Sequence, residues 1–249
     1  MISIRRSAVL LLVLFSMLAV PSAFAAGRPG GGTPIDPYEN CTEWPTKKTV
    51  IVLDPGHGGG DGGTSYDLNT SRTRDDGDVI EKDVVLDIAI LARGTLIGPD
   101  YGYTVCLTRI IDTALGNSER GDFANSVNAK LFVMIHLNGS SDSSVNYTST
   151  FWGKKRKDLA FSDYMFKSLS TDLMAPDPGF VGQLANGALL SATMESTLTE
   201  SVFLTNEKEG PLLDVEGPKN EDGINVRRKQ IADAIAGGIH SYLNLSPQP

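Results

Sequence analysis

Leu131 to Leu137, LFVMIHL, carries no Asp, Glu, Lys or Arg and no alternation of polar with apolar positions. A strand of this kind is apolar on both faces, so both must be covered, and it reads as a central strand in a sheet layered with helices. The flanking sequence agrees. Lys48 to Leu53 is a short β-branched strand, Tyr103 to Arg109 a second, and Thr197 to Leu204 a later one. Helical stretches lie between them: one from Ile80, with Val84, Ile88, Leu91 and Ala92 on one face, then Asn117 to Asn128 and Lys155 to Leu173. A last helix, Val226 to Leu243, closes the chain. Strands alternating with helices specify an α/β layered domain with a mostly parallel sheet. Ligands of such sheets gather beyond the carboxyl ends of the strands.

Ahead of the first strand the chain changes character. Arg5 and Arg6 precede an apolar run, Ala8 to Val20, and SAFAA offers an Ala23-x-Ala25 cleavage site. That order is the order of an export signal over residues 1–25, with an apolar run short for a membrane span. No cysteine directly follows the site to carry a lipid, and no second long apolar run appears. The expected product has no membrane span after cleavage and is exported, to the periplasm or to the cell envelope and exterior. Residues 26–47, rich in Gly and Pro, read as a linker or tail, 48–244 as one folded domain, and 245–249 as a C-terminal tail.

The formal charge is -8, and removing residues 1–25 takes away two arginines and no acids, giving -10. A nucleic-acid partner, which needs a basic stripe, is argued against by that balance. The cluster KKRK, Lys154 to Lys157, reads as a solvated helix start. Cys41 and Cys106 are the two cysteines. In an exported chain a bridge between them would persist and would staple the N-terminal segment to the sheet, although sequence leaves the pairing open.

The chemistry concentrates in TVIVLDPGHGGGDGG, Thr49 to Gly63, where an apolar strand runs into a glycine-rich turn. This is not a phosphate loop: it lacks a Gly-Lys-Ser/Thr ending, and no helix follows directly to receive an anion. The glycines instead allow a sharp turn and a close backbone approach around a metal site. His57 lies just past the first strand and His136 at the end of the third, so the fold brings both to one edge. His240, in the last helix, has no motif around it and reads as a surface or packing residue.

An imidazole pair needs further ligands. Glu81 opens the first helix at the mouth of the loop that holds His57, and two histidines with one carboxylate leave one tetrahedral position free. Local pattern also allows a capping box in DVIE, with Asp78 as N-cap and Glu81 at N3. Both readings stand at this point. In STLTESVFL, alternation puts Leu198, Glu200, Val202 and Leu204 on one face, a costly place for a carboxylate without a partner or a task. A wet edge strand is the alternative. Glu195, Glu207 and Glu209 read as solvated.

The segments VIVLDPGHGGGDGG, EKDVVLDIA, YTVCLTR, ERGDFAN, LFVMIHLN, TESVFLTNEKEGPLL and RRKQIADAIAGGI follow one another in this chain. Their order resembles that of the zinc-dependent N-acetylmuramoyl-L-alanine amidases of the amidase type 3 family, over roughly residues 48–244. The resemblance implies one α/β domain around a twisted, mostly parallel six-stranded sheet flanked by helices. It implies Zn2+ held by His57, Glu81 and His136, with Glu200 as the catalytic carboxylate. The implied substrate is peptidoglycan, cut between N-acetylmuramic acid and L-alanine, and a protein activator is compatible with it. Arg120, Ala124 and Asn125 match the family's R-x-x-x-A-N helix, so the RGD within it is read as incidental.

The chain departs from the family pattern in places. Val202 stands where the family has glycine two residues after the catalytic glutamate, the strand before it is less apolar, and FVGQLANGALLSATM lacks an upstream arginine. The step from His136 to Glu200 is short for the blocking helix of regulated relatives. Competing readings are a non-catalytic peptidoglycan-binding relative and a zinc peptidase or other amidohydrolase on the same scaffold. Non-haem iron also uses two histidines and a carboxylate, but usually on barrel-like β folds.

Overall fold

The computed structural model describes residues 35–43, 48–68, 78–177 and 179–245. The expected export signal, residues 1–25, and all of the expected linker except 35–43 lie outside the described residues. Along the chain run the strands β1 (Val50–Pro55), β2 (Ser65–Tyr66), β3 (Val79–Ile80), β4 (Thr104–Leu107), β5 (Leu131–Asn138), β6 (Ser149–Trp152), β7 (Phe180–Gln183) and β8 (Glu195–Phe203). The helices are α1 (Pro37–Asn40), α2 (Glu81–Ile97), α3 (Asn117–Ser126), α4 (Lys155–Leu173), α5 (Gly187–Ser191), α6 (Glu209–Leu213) and α7 (Val226–Leu245). No helix among the described residues is long and apolar enough to cross a membrane.

Six strands form one sheet in the order β4-β1-β5-β8-β6-β7. The first four are mutually parallel; β6 runs antiparallel to β8, and β7 is parallel to β6. LFVMIHL is thus an interior strand covered on both faces. Ile51, Leu53, Val133 and Ile135 pack on one side with Val84 and Ile88 of α2, Phe161 of α4 and Ile235 of α7. Val52, Phe132, Met134 and Leu198 point the other way, toward Phe123 and Ala124 of α3 and Leu189 of α5. Each large side chain so buried contributes about 1.5–3 kcal/mol.

The alternation read in β8 breaks. His136 and Glu200 are cross-strand partners, but Asn138 pairs with Phe203, so β8 holds one extra residue there. That bulge turns the chain over. Glu200 stays on the face of Leu198 and His136, while Val202 and Leu204 join the cluster under α2, α4 and α7. Val202 therefore points away from Glu200.

Two buried arginines hold the exit of β1. Arg120 of α3 donates through Nη1 to Asp54 Oδ1 (2.6 Å) and to the Pro55 carbonyl (3.0 Å), and through Nη2 to the His57 carbonyl (2.7 Å). Arg109, just past β4, donates through Nε to the Pro55 carbonyl (3.0 Å) and through Nη2 to the carbonyls of Gly56 (2.8 Å) and Lys82 (2.7 Å). Thr108 adds a short hydrogen bond from its hydroxyl to Asp54 Oδ1. The carbonyls of three successive residues, 55 to 57, are thereby satisfied by side chains where no strand or helix could satisfy them.

Several expectations need correction. The sequence does not place β6 and β7, two of the six strands that the resemblance implies, because four-residue strands carry too little periodicity to register. Residues 35–43, read as linker, contain α1, capped by Asp36 and followed by a Cys41–Cys106 disulfide. Thr42 donates its N–H to the Val105 carbonyl, so this segment covers the outer edge of β4. Glu209, read as solvated, is buried; it pairs with Arg227 (2.5 Å) and accepts from Asn146 Nδ2 (2.9 Å). Lys157 of the KKRK cluster turns inward to Asp158 and to Ser196 Oγ (3.1 Å).

Replacing Cys41 and Cys106 by serine removes a cross-link between residues 65 apart. The expected loss is about 2–4 kcal/mol in chemical denaturation. Arg120→Met strands the buried Asp54 carboxylate and is expected to cost about 3–5 kcal/mol in the same assay.

Candidate metal centre

The site lies at the carboxyl ends of β1 and β5. His57 follows β1 in the left-handed region, φ 59°, rare for a residue with a Cβ. Arg120 on its carbonyl holds it there. His136 is the sixth residue of β5, and Glu81 is the first residue of α2.

These three side chains converge. His57 Nε2 is 3.1 Å from Glu81 Oε1, His136 Nδ1 is 3.1 Å from the same oxygen, and the two ring nitrogens are 3.1 Å apart. Tetrahedral bonds of about 2.0–2.1 Å give ligand edges of about 3.3 Å, so the triangle is nearly the right size for one cation. Without a cation its chemistry is frustrated. If both ring nitrogens donate to the carboxylate they face each other donor to donor, and if only one does the other turns a lone pair toward the carboxylate. The residues fit a metal, which would take a lone pair from each of the three donors and so resolve the conflict.

Glycine makes the convergence possible. A Cβ on Gly56 would fall 2.2 Å from the His136 ring, and one on Gly63, at φ 69°, would fall 2.3 Å from Glu81 Oε2 and 2.7 Å from the His57 ring. The imidazoles and the carboxylate occupy the space that side chains at those positions would take.

The capping reading of Glu81 is not realised. The residue before α2 is Ile80, with no side-chain cap, and Glu81 sits at N1. Its Oε1 accepts the Leu137 N–H (3.0 Å) and its Oε2 the Thr64 N–H (2.8 Å), so both oxygens are fixed. Burial alone would raise its pKa, but the bonds and charges of His136 and His57 outweigh it and hold the carboxyl at about 2. Burial likewise opposes charge on His57, yet Glu81 and Asp61 raise its pKa. Asp61 Oδ1 lies 3.0 Å from His57 Nδ1, off the line of a good hydrogen bond.

Glu200 stands beside His136 as its partner on β8 and faces the same way. Its Oε2 is wholly covered and has no hydrogen-bond partner. Burial pushes its carboxyl up to about 7, against the pull of His136 and His57. Across the next strand, Ser149 of β6 partners Glu200, and its buried hydroxyl also lacks a partner. All four residues singled out in the sequence therefore meet at one place. His240 does not: it lies against Tyr101 and Tyr103, its Nδ1 3.1 Å from the Tyr103 hydroxyl. The structure adds Arg109 and Arg120 as supports, which sequence reading placed only inside matched motifs; buried arginines following a strand and opening a helix were the available signal.

Comparison with known proteins supplies the family. A family profile described as N-acetylmuramoyl-L-alanine amidase matches residues 51–241. N-acetylmuramoyl-L-alanine amidase AmiA of Escherichia coli is 29% identical over 242 residues, covering 79% of this chain and 77% of that protein. The solved catalytic domain of CwlV, an amidase from Bacillus (Paenibacillus) polymyxa, is 30% identical with a TM-score of 0.65, covering 80% of this chain and 99% of that one. The CwlD amidase of Clostridioides difficile, solved in complex with the GerS lipoprotein, is 27% identical with a TM-score of 0.65, covering 80% of this chain and 100% of that one. With three quarters of its length matched by that profile and its fold shared with solved members, this chain belongs to the amidase type 3 family of N-acetylmuramoyl-L-alanine amidases.

Proposed function

We propose that this protein is a zinc amidase that hydrolyses the bond between N-acetylmuramic acid and L-alanine in peptidoglycan, with His57, Glu81 and His136 as metal ligands and Glu200 as the catalytic carboxylate. The observation that carries the reading is the triangle of three donors 3.1 Å apart, with an unpaired carboxyl oxygen on the adjoining strand. Two imidazoles and one carboxylate form a donor set suited to zinc with one position left open. A divalent cation bound there would polarise the amide carbonyl and acidify an attacking water.

The chain's own residues do the rest. Glu81, fixed by two backbone N–H groups, presents one lone pair of Oε1 to the centre. Arg120 and Arg109 hold the backbone that aims His57. Glu200 accepts a proton from the attacking water and returns it to the departing amine nitrogen. Its environment pulls in both directions: burial and the charge of Glu81 favour the protonated form, and positive charge at the neighbouring centre favours the ionised one. With one carboxyl oxygen free of hydrogen bonds, Glu200 can exchange a proton without breaking an existing contact.

Two further parts of the reading rest on the sequence and on relatives. Residues 1–25 would direct export to the envelope, where the substrate is, leaving residues 48–244 as the catalytic domain. The CwlD amidase was solved in complex with a lipoprotein, which supports a protein activator for this chain as well. A non-catalytic wall-binding role is not favoured, because it would leave the carboxyl of Glu200 buried beside the centre at a cost and without a task.

Three measurements test the reading. Glu200→Gln is expected to retain stoichiometric metal and to lower stem-peptide release from purified peptidoglycan by about 100-fold or more; wild-type turnover in this variant would remove Glu200 from the mechanism. His136→Ala is expected to lose metal by elemental analysis and activity together. Chelation should abolish release of stem peptides, and Zn2+ should restore it, with mass analysis showing free L-alanine amino termini; cuts within the peptide would identify a peptidase instead.

A further inference from the structure

The sheet continues past Glu200 in a row of defined chemistry. His136, Glu200, Ser149 and Phe180 are successive cross-strand partners on β5, β8, β6 and β7, so their side chains share one face. At about 4.8 Å per strand, Phe180 stands on the order of 10 Å from Glu200, in line with the metal centre. It is 45% exposed although it belongs to a strand.

Phe180 does not stand alone. Its ring meets Phe151 edge-on at 5.6 Å and Tyr147 at 5.9 Å, and Tyr147 packs edge-on against Phe203 at 4.6 Å. The partner of Phe151 on β7 is Gly182, where a Cβ would meet both phenylalanine rings at about 3.0–3.1 Å. Glycine here lets the two rings close over the edge strand. The outcome is an aromatic rail that begins three residues after Glu200, at the buried Phe203, and ends at an open ring.

We propose that Phe180, backed by Phe151 and Tyr147, is the platform on which a pyranose ring of the glycan stacks while the adjoining amide lies at Glu200. The inference rests on the amidase reading above and names which half of the substrate this edge receives. A short lactyl arm joins the sugar to the scissile amide, so the sugar falls within one or two strand spacings of the reacting carbon. Aromatic faces suit the apolar C–H faces of a pyranose. The stem peptide carries carboxylate and amino groups that call for charged partners, and Tyr147, Ser149, Phe151 and Phe180 offer none.

The test compares two substrates for the zinc-loaded protein. One is a disaccharide-peptide muropeptide; the other is the matching lactoyl-peptide, which keeps the amide but has no sugar. The readout is the ratio of their kcat/KM values. Phe180→Ala and Phe180→Leu are expected to lower the ratio by about three- to tenfold, the span of an aromatic contact, and Phe180→Trp to restore it. Leucine keeps apolar bulk at the edge without a ring face, so packing alone is controlled. An unchanged ratio in both variants, including one that hides an equal fall on both substrates, would overturn the assignment and place Phe180 in packing or on the peptide side. A wild-type protein that cleaves neither substrate would instead sink the amidase reading.

Discussion

The grip of two buried guanidinium groups on the turn after β1 is the constraint on which the site depends. His57 sits in a backbone conformation that costs an L-residue about 1–2 kcal/mol, and its neighbours' carbonyls point where no strand can pair with them. Arg120 and Arg109 accept that geometry and fix it, with Asp54 neutralising part of the charge. They come from α3 and from the end of β4, so the turn is tied to two separate layers. A buried ion pair of this kind adds little net stability over an apolar replacement. Its effect is to hold one conformation against alternatives.

Given that turn, the metal centre follows from proximity. Parallel pairing of β1 with β5 carries His57 and His136 to the same edge, and the glycines at 56 and 63 let rings and carboxylate approach the backbone. Glu81 is then locked by N–H groups from two other segments, at Thr64 and Leu137. A donor set prepared in advance binds an ion with little further ordering. Glu200 is placed by the next strand, and the bulge after it separates two tasks: Glu200 faces the site while Val202 completes the core on the opposite side. That geometry answers the question raised by valine in place of glycine, because the side chain is not in the site at all.

The far edge of the sheet follows another logic. β6 reverses direction and β7 follows it, giving two short strands that put Phe151 and Phe180 on the site face. A protein that works on a polymer needs surface beyond the reacting bond, since binding energy from remote parts of a substrate helps to position the bond that breaks. Phe180, partly exposed, lies in register with Ser149 and Glu200 on the same face of the sheet.

Much of this was readable from the chain alone. LFVMIHL required a two-sided sheet, the alternation of periods required an α/β architecture, and the scarcity of histidine made His57 and His136 conspicuous, because these signals are local and survive in composition and spacing. What sequence could not decide were matters of register and of partners distant along the chain. Whether Glu81 caps its helix or faces two imidazoles depended on a two-residue difference in where α2 begins. Whether Val202 shares a face with Glu200 depended on a single extra residue. The four-residue strands at the far edge, the Cys41–Cys106 bridge and the arginine supports exist only because segments distant along the chain lie side by side. Local preference sets which elements form; only packing sets which of their side chains meet.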